Sequence, residues 1–411
     1  MQITCRTSYW NKFRCAAHIK NGKFNKAVDS LYKKGLGAYF SLRNTIDRRF
    51  IKARCISKLF DSLVEPILTY GCQIWLPTLP IMKKLVNRFR HDGNIDITAI
   101  AKQPFEQVQL RHLKYLLGIN RRSANCAAWG ETGKYPLTFS CLKLCIKYLH
   151  WAMAMPSTSF VRAALNEQIQ LDLPWFQSLK SLLECVGNIS PAQYNTNSSS
   201  VLNAARLLDL CPPSKIAASM NNSFVESWKG FIEGSSKLSF YNSVKSDFSW
   251  EKYLDHAWTF NDRRATARLR CSSHKLKCEV GRHKNIPKEE RLCDHCKDNC
   301  VPNPPIEDEN HLLHTCPLGD YIRTQFSCKF LQITSRPHDS NIAAIYLPAR
   351  DADHEGNPDH SSDRSTSVLT EEEIHAIQLS AQFLNTMYKL LLNRKKDISE
   401  RRKTSAKNLR Q

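Results

Sequence analysis

The stretch ERLCDHCKDNCVPNPPIEDENHLLHTCPLG, residues 290–319, sets Cys293 and Cys296 two residues apart, continues through a proline-rich loop, and closes with His311 five residues ahead of Cys316. The chain holds 16 cysteines in 411 residues, so about 0.6 C-x2-C pairs arise by frequency alone. Requiring H-x4-C a short way downstream lowers that expectation to about 0.01 to 0.02. The quartet carries the signal, and the pair does not. Two thiolates on a tight turn, an imidazole and a third thiolate are a donor set suited to Zn²⁺, which accepts mixed sulfur and nitrogen ligands in a closed tetrahedron. Four protein ligands leave no open position, so the spacing predicts one structural zinc that staples a loop too polar to bury a core of its own. Cys300 remains an alternative to Cys293 or Cys296, and His314 a competitor of His311. A disulfide needs an oxidising compartment, and the opening MQITCRTSYWNKFRC shows neither an apolar run nor a small-residue cleavage site. The thiols are therefore expected to stay reduced, with an intracellular location in nucleus or cytoplasm.

Directly upstream lies FNDRRATARLRCSSHKLKCEVGRHKN. An Asn-Asp pair at its start and Gly281 near its end frame a helix of about five turns. At 100° per residue, Ala265, Leu269, Leu276 and Val280 form a narrow apolar stripe, Arg264, Arg268 and Lys275 share a neighbouring face, and Arg263, Arg270 and Lys277 flank the far side. From Arg263 to Arg291 there are ten Lys or Arg against three acids, a density suited to neutralising several phosphates. The expected nucleic-acid contacts are Arg263, Arg264, Arg268, Arg270, Lys275 and Lys277, with Arg282, Lys284 and Lys288 beyond the helix. His283 belongs to the same segment. Backbone contacts carry little base identity, and the sequence displays no aromatic stacking platform of the kind single-strand readers use.

The remainder of the chain supports this reading. A formal charge of +21, from 59 Lys and Arg against 38 Asp and Glu, attracts polyanions. RNA or DNA is the expected partner, and no apolar run reaches a membrane-spanning length. Apolar residues make up 42% of the chain, enough to fill two or three cores. Long stretches without Gly or Pro favour a mainly α fold, helical bundle-like segments joined to a small CCHC zinc-knuckle module and a C-terminal helix.

Helices are expected over 24–45, loosened at Gly35 and Gly37, from Ile51 to an interruption at Pro66, and over 104–117 with Gly118 as the stop. Others fall at 136–154, 158–170, 174–187 and 199–211. Cys141 and Cys145, four apart in the first of these, read as core packing. Composition sets loops at 188–200 and 233–247 and a polar linker from Arg336 to Thr366. Thr370 with Glu373 forms a capping box, after which Ile374, Ile377, Ala381, Leu384, Tyr388 and Leu391 make an apolar seam that docks on its own chain or on a protein partner. The organisation expected is thus 1–100, helical and thumb-like, 101–232, helical, 233–330, basic helix and zinc module, 331–369, linker, and 370–411, amphipathic helix with a basic tail.

Three stretches resemble one family, the C-terminal half of reverse transcriptases from LINE-type (non-LTR) retrotransposons. KGLGAYFSLRNTI followed by KLFDSLVEPILTYGCQIW is similar to the helical thumb that follows the polymerase palm. FEQVQLRHLKYLLGI through WGETGKYPLTF resembles the next helical segment, and RRATARLRCSSHKL with GRHKNIPKEERLCDHC and EDENHLLHTCP resembles the basic segment and zinc knuckle. The resemblance covers much of residues 30–150 and 260–320 and implies the gripping of RNA or DNA. The family's polymerase signature is a pair of adjacent aspartates that hold two metals, and no Asp-Asp pair occurs in this chain. A non-catalytic, nucleic-acid-binding remnant without the palm is the expectation. A zinc-stapled protein scaffold is the alternative, and a restriction-like nuclease using Pro358-Asp359 a weaker one, since those residues lie in a segment poor in apolar side chains.

Overall fold

A computed structural model describes residues 24–196, 198–334 and 369–408. The fold is mainly α, and among the described residues the only β pairing is two isolated bridges, Thr132 with Trp250 and Leu292 with Ile306. Residues 336–366, with Pro358 and Asp359, lie outside the described residues, as do residues 1–23. The chain forms two compact units, neither continuous in sequence: Met1–Asp47 with Cys55–Leu113 and Lys134–Phe231, and Arg48–Arg54 with Lys114–Gly133 and Ile232–Gln411.

In the first unit the helix Asn25–Thr45 runs unbroken through both glycines. Gly35 is buried because a Cβ there would stand 2.3 Å from a methyl of Leu68. The glycine is a contact point for the short helix Glu65–Leu68 and does not loosen its own helix. Ala53–Leu63 is helical up to the Pro66 region, and Gly71 turns the chain with φ 64°. The apolar periods at Leu137–Ala154, Phe160–Gln170, Pro174–Gly187 and Ser200–Leu210 all form helices. Within the two composition-defined loops, Pro191–Tyr194 and Ser239–Val244 add short helices. The core is filled by Phe60, Leu68, Met82, Leu85, Phe105, Leu142, Leu149, Leu179, Phe224 and Trp228. Cys141 and Cys145 are fully buried within it beside Cys72, in keeping with packing.

The second unit is organised by the helices Phe260–Arg270, Asp320–Thr334 and Glu371–Asn408. Ala265, Leu269, Leu276, Leu312, Leu313, Phe326, Phe330, Leu379, Phe383, Leu384, Met387, Tyr388 and Leu391 share one apolar cluster. The C-terminal seam therefore docks on its own chain. Its start is the expected capping box: the Thr370 N–H donates to Glu373 Oε2 at 2.9 Å and the Glu373 N–H to Thr370 Oγ1 at 3.2 Å.

The single long basic helix is corrected. Phe260–Arg270 and Lys277–His283 are separate helices. The first is capped by Thr259 and Asp262, in a reciprocal box whose N-cap lies two residues before the Asn261 expected. It ends because Ser272 takes a left-handed conformation, φ 47°, while the Ser273 N–H returns to the Arg268 carbonyl at 2.8 Å. Ser273 Oγ is then placed to accept the Asn120 N–H at 2.8 Å. Gly281 is not a helix stop; it lies inside the second helix, where a Cβ would meet the Arg291 stem at 2.8 Å.

Candidate metal centre

Cys293, Cys296, His311 and Cys316 converge, all buried, with their donor atoms within 4.8 Å of one another. Two local devices bring them together. Residues 291–293 pair with 305–307: the Cys293 N–H donates to the Pro305 carbonyl and the Glu307 N–H to the Arg291 carbonyl, both at 2.8 Å. This closes the proline-rich loop and turns Cys293 and Cys296 inward around the short helix Asp294–Asp298. On the other arm a single wide π-type turn, His311–Thr315, is held by the Cys316 N–H donating to the His311 carbonyl at 2.8 Å. The extra residue in that turn sets His311 and Cys316 on one side.

The distances fit a tetrahedral ion. Cys293 and Cys316 sulfurs are 3.9 Å apart, and Cys296 Sγ lies 3.4 Å from His311 Nε2. With Zn–S bonds of about 2.3 Å and Zn–N of about 2.05 Å, tetrahedral edges come to about 3.8 Å and 3.5 Å. His311 offers Nε2, and its Nδ1 is 2.9 Å from Thr315 Oγ1, a second contact that fixes the ring. The hydrogen bond from the Cys316 thiol, with further help from His311, holds the Cys293 thiol low, at about 3. Sharing with Cys293, and burial, push Cys316 up. Burial pushes Cys296 up to about 11. Three thiols and an imidazole crowded in this way favour a cation that takes over the protons' role. Cys300 is exposed with φ 54° and His314 is only half-buried; neither joins the cluster.

Two features of this centre escaped the sequence reading. The terminal helix lies along the knuckle: Lys395 pairs with Glu307 at 2.5 Å, Arg394 pairs with Asp298, and Leu391 and Ile398 line the same small pocket as Cys293 and His311. The only sequence signal was the basic run at 394–396. The second feature is a neighbouring cluster, His274, Cys278 and Glu309. There His274 Nε2 is 2.6 Å from Glu309, Ser272 Oγ donates to the same carboxylate at 3.2 Å, and the Leu276 N–H donates to His274 Nδ1 at 3.3 Å. These groups satisfy one another and tie the loop Cys271–Leu276 to the arm that carries His311.

The expected nucleic-acid contacts separate into two classes. Arg270 is buried and pairs with Glu131 at 3.0 Å and Glu251 at 2.9 Å. Arg263 is buried, donates to the Arg48 carbonyl at 3.1 Å and lies over the Phe260 ring. Arg268 donates to the Gly118 carbonyl at 3.0 Å, and the stem of Arg264 rests on Gly118, whose φ of 69° and lack of a side chain make room for it. Lys277 donates to the Leu292 carbonyl and to Asp294, and Arg282 pairs with Glu279 at 2.8 Å. These side chains secure the fold. Lys275, Lys284 and Lys288 are exposed, as is His283, and none of the three lysines enters an ion pair among the described residues.

Searches against protein-family models, curated proteins and solved structures found no match to this chain. Among the described residues no helix is long and apolar enough to cross a membrane.

Proposed function

We propose that the chain is a non-catalytic nucleic-acid-binding protein built around a structural Zn²⁺ at Cys293, Cys296, His311 and Cys316, and that it derives from a non-LTR retrotransposon reverse transcriptase. The observation that carries the reading is the closed, buried donor set with exposed Lys275, Lys284 and Lys288 on the segments that flow into it. Zinc identity is favoured by three sulfurs and one imidazole at tetrahedral separations. Four protein ligands leave the ion no vacancy for substrate, so its role is to hold the segment from Lys284 to Lys288 in place. The resemblance of residues 30–150 and 260–320 to that family supports RNA or DNA as the polyanion, as does the net charge of +21.

Elemental analysis of the purified full chain is expected to give one zinc per chain, lost in the variant Cys293→Ser with Cys316→Ser. Less than about half an equivalent in the wild type refutes the metal assignment. For binding, affinity for RNA and duplex DNA is measured across salt concentrations. Lys275→Ala with Lys284→Ala and Lys288→Ala flattens the logarithmic salt slope by about two to three units if each lysine meets a phosphate. An unchanged slope would leave these lysines as solvated surface, and the zinc-stapled protein scaffold would take precedence.

A further inference from the structure

The helix Leu137–Ala154 buries one side in the first unit and leaves an arc exposed. Turning 100° per residue, that arc runs from Lys143 through Lys147, Trp151 and Leu144 to Tyr148. Trp151 is 47% exposed and Leu144 44%, large values for such side chains on a helix otherwise well packed. Tyr148 sits between two tryptophans. Its ring centroid is 5.5 Å from that of Trp151 at 37°, and 6.2 Å from that of Trp175 in an edge-to-face arrangement. Trp175 is held from behind, its Nε1–H donating to the Gln73 carbonyl at 2.9 Å. The aromatic rings are thus braced rather than loose. Lys143 and Lys147, both exposed, border the arc on one side, and the helix contains no acidic residue at all.

We infer that this arc is a stacking platform for unpaired bases of single-stranded nucleic acid, with Lys143 and Lys147 against the phosphates. The inference rests on the nucleic-acid reading above and adds to it a second contact region and a preference for single strands. Aromatic faces next to lysines are what a single strand needs, because every unpaired base has a free π-face and a phosphate follows each base. A duplex hides those faces within its stack. A protein surface docking on the arc would have to desolvate both lysines and supply acids for them, so the charge pattern favours the polyanion.

The test uses the full chain and three labelled oligonucleotides of one length: a single strand, the matching duplex, and an abasic single strand that keeps the phosphates. Trp151→Ala is expected to weaken single-strand binding by about 5- to 150-fold, the effect of one base–aromatic stack. Duplex affinity stays within about twofold, and Trp151→Phe keeps most of the single-strand affinity. The wild type should lose a similar factor on the abasic strand, with little further loss in Trp151→Ala. Because Trp151 is surface-exposed, an unchanged thermal midpoint shows that the variant is folded. Equal loss on single strand and duplex, or unchanged single-strand affinity, overturns the platform, and the second result points to a protein occupant. Failure of the wild type to bind any of the three at low salt overturns the nucleic-acid reading itself and the platform with it. Duplex binding that depends on Lys275, Lys284 and Lys288 while Trp151→Ala has no effect overturns the platform alone.

Discussion

His112 illustrates how a single buried residue sets the response of its unit to acid. Its ring stacks on Phe60 at 4.4 Å and 22°, meets Tyr39 edge-on, and has a buried Nε2 with no hydrogen-bond partner. Burial, with a smaller contribution from Lys134, pushes its pKa down to about 3. The folded ring stays neutral where the unfolded one, with an ordinary value of about 6.5, takes a proton. Stability from this group is complete above about pH 6.5 and is lost as pH falls toward 3, at a slope approaching about 1.4 kcal/mol per pH unit. His112→Phe keeps the stack and removes the proton site, so the loss of stability between pH 6 and 4 should be shallower in urea titrations. An identical pH profile in the variant would show that other groups govern the acid response. Arg270 carries a different kind of weight: it joins the buried carboxylate of Glu131 to the partly buried one of Glu251, and Tyr253 donates to Glu131 as well. Arg270→Ala strands the buried Glu131 without a cation, while Glu251 keeps Lys245, and should cost about 3–5 kcal/mol. Arg270→Ala combined with Glu131→Gln should recover part of that loss, which chemical denaturation of the two variants will measure.

Among the elements, the close approach at Gly35 makes a sharp expectation. A methyl there meets Leu68, and relief requires the helix Glu65–Leu68 to shift, so Gly35→Ala should destabilise by about 1–3 kcal/mol. Gly37, where a Cβ would meet open space, serves as the control, and Gly37→Ala should be neutral or slightly stabilising. The contrast shows which features could be read from the sequence. Period and caps decide where helices start and which face is apolar, which is why the stretches near 137–154, 174–187 and 370–391 were legible, whereas the run of the last helix on to Asn408 was not. The roles of the two glycines were not, because they depend on a partner thirty residues away. The break at Ser272 was hidden for the same reason. No glycine marks the left-handed residue, and Asn120, which receives the turn through Ser273, is remote in sequence. The convergence of Cys293, Cys296, His311 and Cys316 was legible because ligand type and spacing are chemical requirements. The docking of Arg394 and Lys395 beside it was not, since a basic run looks the same whether it faces solvent or Glu307. That docking has a consequence for metal removal. Chelation should loosen the knuckle and, through Glu307, the turns of the terminal helix after Leu391. Hydrogen exchange there should rise, while amides near Ala381 and Leu384 remain protected.

For the molecule as a whole, the arginines expected on the surface show how far local reasoning extends. A helix with four arginines is an obvious phosphate ligand until Glu131, Gly118 and Arg48, from other parts of the same unit, claim them. Residues 232–411 expressed alone lack Glu131 and the Gly118 turn. That fragment should show no cooperative thermal transition by circular dichroism, whereas the full chain should. A sharp transition in the fragment would mean that the interrupted segments are dispensable. The closing of the second unit by Leu379–Leu391 also determines when folding can finish. During synthesis Arg48–Arg54 and Lys114–Gly133 leave the ribosome early, and the apolar side of Phe260–Arg270 follows them before the terminal helix that completes its cover. At about 5–20 residues per second, the remaining hundred or so residues take about 5 to 20 seconds to emerge. Until then Ala265, Leu269 and Leu276 lack the part of their cover that Leu379–Leu391 supplies, and translation rate over the last third of the message is expected to affect yield.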